Sequence, residues 1–162
     1  MCYMKAMSSK LKARESGFTL IEILLVIGII AILAAVVIVA INPARQFAQA
    51  RNSQRWSNIN TILNAVHQYA VDNTGTLPAA IASSTCAAVS TNEICMMGAG
   101  SCAGLIDLSV LTNGETYLVS MPVDPSATST YGTGYRVTKS GSGRVTVCAP
   151  GAELGTTISV TR

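Results

Sequence analysis

Between Phe18 and Ile41 the chain has 24 residues and a single ionisable one, Glu22, at the fifth position of an otherwise apolar run. A charge carried into hydrocarbon costs roughly 2.5–3.5 kcal/mol at mid-membrane, less near an end, so a carboxylate kept there usually marks function. The residues just before it suggest the chemistry. Gly17 stands between a short basic leader and the apolar run, and a cut after Gly17 makes Phe18 a new N-terminus. Its free amine then lies one helical turn from Glu22. An amine at the positive end of a helix dipole is unfavourable until a carboxylate offsets it, within the chain or from a neighbour. The chemistry is therefore peptide cleavage followed by ion pairing, and between neighbours such a pair also fixes register. An ordinary secretory signal, with an apolar region of roughly 7–15 residues, is too short to match. A plain anchor, with Glu22 snorkelling at a membrane edge, leaves the carboxylate without a partner.

The cysteines are the other reactive set. Cys2 lies in the leader, and Cys86, Cys95, Cys102 and Cys148 form an even group beyond the apolar run. Four thiols in a small externalised domain read as two disulfides in an oxidising compartment. A zinc site would need the paired C-x₂₋₄-C spacing, which is missing. Three pairings are open; the favoured one takes Cys95 with Cys102 as a local staple and Cys86 with Cys148 as a long one. No nucleophile with a base, paired carboxylates or metal-ligand cluster stands out. His67 is the single histidine and reads as structural. Gly132-Thr133-Gly134 and Gly141-Ser142-Gly143 read as turn glycines, because no helix start follows either. The expectation is a chain without catalytic residues, cofactor or metal.

These residues need elements to position them. As a helix the apolar run is ~36 Å long, enough for a ~30 Å hydrocarbon layer. Pro43 removes a donor and should break or loosen the helix there. Beyond it Trp56, Ile59, Leu63, Val66 and Ala70 recur at spacings of three and four, a packing stripe flanked by Ile62 and Tyr69. Asp72 to Pro78 carries helix-ending residues, so the helix should run from about Phe18 to Val71. Residues 79–104 read as a loop held by disulfides, and Asp107 to Leu111 as a capped turn or two of helix. Four β-rich segments follow: Tyr117 to Met121, Tyr135 to Lys139, Arg144 to Cys148 and Thr157 to Thr161. Ser140 to Gly143 makes the middle hairpin, and Pro122 to Ser126 is a turn-rich connection. The fold class is α+β: a long N-terminal helix whose apolar half spans the membrane and whose amphipathic half packs on a small antiparallel sheet. The parts are a leader at 1–17, the membrane or filament-core helix at 18–41, the amphipathic helix at 42–72, a disulfide-bearing loop with a short helix at 73–115, and the sheet at 116–162.

Charge narrows the function classes. The formal +3 comes wholly from the leader, where Lys5, Lys10, Lys12 and Arg14 face Glu15, so the chain from Phe18 has seven basic and seven acidic residues. A neutral chain does not grip nucleic acid by broad electrostatics. Four basic residues precede the span, while Arg45, Arg51 and Arg55 follow it with no acid nearby in sequence, a thin margin for a cytoplasmic leader.

Gly17-Phe18-Thr19-Leu20-Ile21-Glu22, followed by Ile-Leu-Leu-Val-Ile-Gly-Ile-Ile-Ala-Ile-Leu-Ala, resembles the N-terminal signature of type IV pilins and type II secretion pseudopilins. The resemblance is strong from about Arg14 to Tyr69 and extends to layout beyond. It implies cutting after Gly17 by a prepilin peptidase, N-methylation of Phe18, and pairing of Glu22 with the amine of a neighbouring subunit during assembly. It also implies a helix that partly unwinds in the filament, for which Pro43 and Gly28 are the permissive positions here. The implied protein is structural, held in the cytoplasmic membrane by one span with its leader cytoplasmic. A pilus assembly platform with its ATPase machinery would polymerise it into a homo-oligomeric extracellular filament for adhesion, twitching motility or DNA uptake. Small residues such as Gly28, Ala31, Ala34 and Ala35 would let its helices approach closely. The alternative is a pseudopilin acting in protein export, which shares every N-terminal feature. Some pseudopilins bind calcium near C-terminal loops, but the oxygen ligands around Asp124 are too sparse to name a site.

Overall fold

The structure, a computed structural model, describes residues 17–86 and 92–162; the leader charges and Cys2 lie outside them. It separates into two compact units that meet after Asn42. The first holds helix α1, Leu20–Ile41. Thr19 is its N-cap in extended conformation, and the Thr19 hydroxyl accepts a hydrogen bond of 3.2 Å from the Glu22 N–H. That satisfies one of the donors a helix start leaves over. The helix thus begins at Leu20 and leaves Gly17 and Phe18 outside it. None of its 22 residues is buried.

The helix does not run unbroken to Val71. It stops at Ile41, Asn42 takes a left-handed conformation with φ 48°, and α2 starts at Pro43 and runs to Asp72. Pro43 is therefore the first residue of a new helix, where its missing N–H is not needed and its fixed φ is already helical.

The second unit is α2 laid on a four-stranded antiparallel sheet of order β1-β2-β3-β4. The strands are β1 Glu93–Cys95, β2 Gly132–Lys139, β3 Val145–Ala149 and β4 Ile158–Thr161, with a short α3, Ser109–Thr112, between β1 and β2. β2 and β3 form the hairpin through Ser140 to Gly143, with Val137 opposite Val147. Ile59, Ile62, Leu63 and Val66 of α2 are buried against Tyr135, Val137, Val145, Val147 and Ile158 of the sheet. The layout is α+β, an apolar N-terminal helix followed by a helix on a small antiparallel sheet.

Three expectations are corrected. Tyr117 to Met121 is not a strand: the N–H groups of Tyr117 and Leu118 both donate to the Leu111 carbonyl, at 3.3 and 3.0 Å, folding the segment back on α3. The fourth strand is instead β1, inside the stretch read as loop. It pairs with β2, and its Ile94 also bridges Ile106. Second, the packing stripe of α2 does not start at Trp56, which is 43% exposed; Arg55 is buried there instead, and Ile59, Leu63, Val66 and Ala70 continue the face. Third, Gly132 and Gly134 are strand residues, not turn glycines. A Cβ on Gly132 would lie 2.0 Å from the Glu93 carboxylate, and one on Gly134 2.7 Å from the Asp124 side chain, so side chains from neighbouring segments fill both positions.

Candidate functional site

The chemistry expected at the N-terminus rests on Gly17, Phe18 and Glu22. Gly17 and Phe18 are exposed and precede the helix, which places the bond between them in non-helical chain. Glu22 is in the first turn of α1, where a carboxylate is favoured by the helix dipole. The Thr19-x-x-Glu22 spacing is a capping-box pattern, the signal that would have located this helix start from sequence. Gly28 lies inside α1 with open space where a Cβ would stand, so nothing within the chain requires a glycine there. Every large apolar side chain of α1 is exposed.

The second constellation was not legible in the sequence. Arg55 is fully buried on α2, and its guanidinium reaches four residues. Nε donates to Asp124 Oδ2 at 2.6 Å, and Nη2 to Asp124 Oδ1 at 3.0 Å and Ser126 Oγ at 2.6 Å. Nη1 donates to Asn52 Oδ1 at 2.9 Å and Glu153 Oε1 at 3.0 Å. All five guanidinium N–H groups are thereby used, the condition under which a buried cation is tolerated. Arg51 adds a bidentate pair to Glu153, at 2.7 and 2.6 Å. Arg51 and Arg55, which have no acid nearby in sequence, thus have partners about 70 and 100 positions away, Asp124 and Glu153.

Electrostatics follow the geometry. Burial pushes the Asp124 carboxyl up, but hydrogen bonds from Arg55 and Ser126 outweigh it and hold the group below its ordinary range. Arg51, and then Arg55, draw the partly exposed Glu153 down to about 2. The Arg55 guanidinium is raised, first by its hydrogen bond to Asp124. Next to this cluster Asn58 Nδ2 donates to the buried Tyr135 hydroxyl at 2.8 Å. Asp124 is therefore engaged by a guanidinium and a serine and does not present open oxygens to a calcium ion. Among the described residues no group of three or more His, Cys, Asp or Glu is gathered as a metal would require.

Asn52 completes the cluster as a clamp. Its Nδ2 donates to the Glu153 carbonyl at 2.9 Å, and its Oδ1 accepts from the Glu153 N–H at 3.0 Å. The next residues, Leu154 and Gly155, have φ of 59° and 67°, and the Thr156 N–H closes the turn on the Glu153 carbonyl at 3.2 Å.

The four cysteines beyond the span are brought together in two pairs, Cys86 with Cys148 and Cys95 with Cys102, at Cα separations of 6.3 and 5.6 Å. The first ties the chain ahead of β1 to β3, and the second closes the turn after β1. His67 is half-buried on α2, and its Nε2 has no hydrogen-bond partner among the described residues.

Compared with known proteins, residues 12–38 match the prokaryotic N-terminal methylation motif. No curated protein and no solved structure matches the chain.

Proposed function

From a chain that carries the prepilin signature of the type IV pilins and pseudopilins, we propose a structural subunit of a type IV pilus. That family is one of structural proteins, not enzymes. In this reading a prepilin peptidase cuts after Gly17 and Phe18 is N-methylated. The subunit waits in the cytoplasmic membrane on α1, leader side cytoplasmic. The assembly platform and its ATPase then draw it into a homo-oligomeric extracellular filament. Assembly exchanges lipid contacts on α1 for helix packing, with Gly28, Ala31, Ala34 and Ala35 as the points of close approach. Glu22 pairs with the Phe18 amine of a neighbour and sets register. Pro43 and Gly28 are where the helical chain yields, and the two disulfides hold the head after export.

The observation that carries the reading is α1 itself: 22 residues, none buried, with one carboxylate in the first turn directly after Gly17-Phe18-Thr19. So much apolar surface needs lipid or other subunits to cover it, and the carboxylate needs the amine that cleavage creates. The test is mass spectrometry of the N-terminal peptide in material sheared from the cell surface. A peptide beginning at N-methylated Phe18 in that material is expected. The same peptide confined to the membrane fraction would turn the assignment to a pseudopilin in protein export, and an uncut leader would remove its basis.

A further inference from the structure

Six methionines stand in the chain, and Met1, Met4 and Met7 precede Gly17. The other three, Met96, Met97 and Met121, all line one pocket of about 220 Å³, together with Cys95, Cys102 and Asp107. The fold builds this convergence from two sides. Strand β1 ends at Cys95, which a disulfide ties to Cys102. The Met96 N–H then donates to the Tyr131 carbonyl at 2.7 Å, and the Ala99 N–H donates back to the Met96 carbonyl at 3.2 Å, a turn that Gly98 permits with φ 74°. Met97 is carried in that turn and is 56% exposed, whereas Met121 comes from the segment after α3 and is 6% exposed. Filling gaps in a core is the ordinary use of methionine, and it accounts for Met121. It does not account for a second thioether left in water on the same pocket.

We propose that this pocket is a site for a soft monovalent cation, Cu(I), held by the thioethers of Met96, Met97 and Met121. Thioether sulfur is a soft, uncharged donor that selects Cu(I) over magnesium or calcium. The four cysteines among the described residues are all in disulfides, which leaves thioethers as the soft donors there. Among the same residues no group of three or more His, Cys, Asp or Glu is gathered to take a harder ion. The exposure gradient suits capture: Met97 meets the ion at the surface, and Met96 and Met121 complete its sulfur shell. Binding exchanges water on the ion for sulfur, and no electron is transferred. The Asp107 carboxylate, whose Oδ1 accepts from the Ser109 N–H at 2.8 Å, lies on the same pocket and supplies negative charge toward a cation. The site belongs wholly to the head and does not depend on the pilus reading.

The test titrates the full chain in detergent, carrying Cys2→Ser to remove the leader thiol, with Ag+ as a redox-inert stand-in for Cu(I), and follows the carbon-labelled methionine methyl groups by NMR. Met96→Leu, Met97→Leu and Met121→Leu assign the signals while nearly conserving side-chain volume. The signals of Met96, Met97 and Met121 are expected to move together and to saturate at one ion per chain, and Zn2+ should leave them in place. Each leucine variant should keep the thermal midpoint close to that of the parent and weaken Ag+ binding by roughly tenfold or more. Movement confined to Met1, Met4 and Met7, movement of the three pocket signals at different Ag+ concentrations, equal movement with Zn2+, no movement, or unchanged affinity in all three variants would overturn the proposal. If a variant does not fold, the joint movement and the stoichiometry of the parent decide.

Discussion

Arg55 shows how much of the head depends on one side chain. It is fully buried and holds Asp124 at 2.6 Å, so replacing it leaves a buried carboxylate without its counter-charge. Arg55→Met should destabilise the fold by about 3–5 kcal/mol, and Arg55→Met with Asp124→Leu should recover part of that, because removing both charges is far less costly than stranding one. Denaturation of the full chain in detergent, followed through Trp56 fluorescence, measures both. The neighbouring Glu153 gives a pH signature. Its carboxyl ionises near 4.5 in unfolded chain and at about 2 when folded. The unfolded chain therefore binds the proton more readily. The stabilisation is complete above about pH 4.5 and is lost as pH falls toward about 2, with Asp124 acting in the same direction. Thermal midpoints taken from pH 6 down to pH 2 should fall in that window, and Arg51→Gln should flatten the fall. None of this was readable from the sequence. Arg55 stands in the polar run of α2 and Asp124 in a turn-rich connection, and nothing local says that they meet.

The two cross-links differ in what they constrain. Cys86–Cys148 spans a separation of 62 residues, and Cys95–Cys102 one of seven. In the chain-entropy account the first is worth about 4 kcal/mol and the second about 2. Replacing Cys86 and Cys148 together by serine should therefore lower the denaturation midpoint about twice as far as replacing Cys95 and Cys102. The helices and the β2–β3 hairpin were legible because each carries a long signal: an apolar run, a stripe at spacings of three and four, or β-branched residues around a Ser-Gly turn. β1 was not, because three residues are too few for a period. Tyr117 to Met121 misled because its composition suits a strand, while its donors close onto Leu111 and its Tyr117 ring meets Tyr69 edge-on at 5.7 Å. Trp56 misled in a similar way: its apolar character fits the stripe, but the salt-bridged Arg55 occupies the buried face.

For the whole molecule, the proposed division is between a segment built to be covered by copies and a head built to stand alone. Glu22→Ala tests it, since removing the carboxylate removes a charge from the apolar helix and the proposed partner of the Phe18 amine. Membrane insertion should be unchanged or improved while filament yield collapses, measured as sheared subunit against subunit retained in membranes; normal filaments from that variant would sink the pairing. The head has its own cohesion in one hydrophobic core, a neutralised buried cluster and two cross-links. The longer cross-link has a mechanical consequence. A pull along the chain would pass from Cys86 to Cys148 through a covalent bond and bypass the 62-residue stretch between them. About 200 Å of contour length is thereby withheld from extension, so in the proposed fibre a head under tension would lose weak contacts without releasing that stretch.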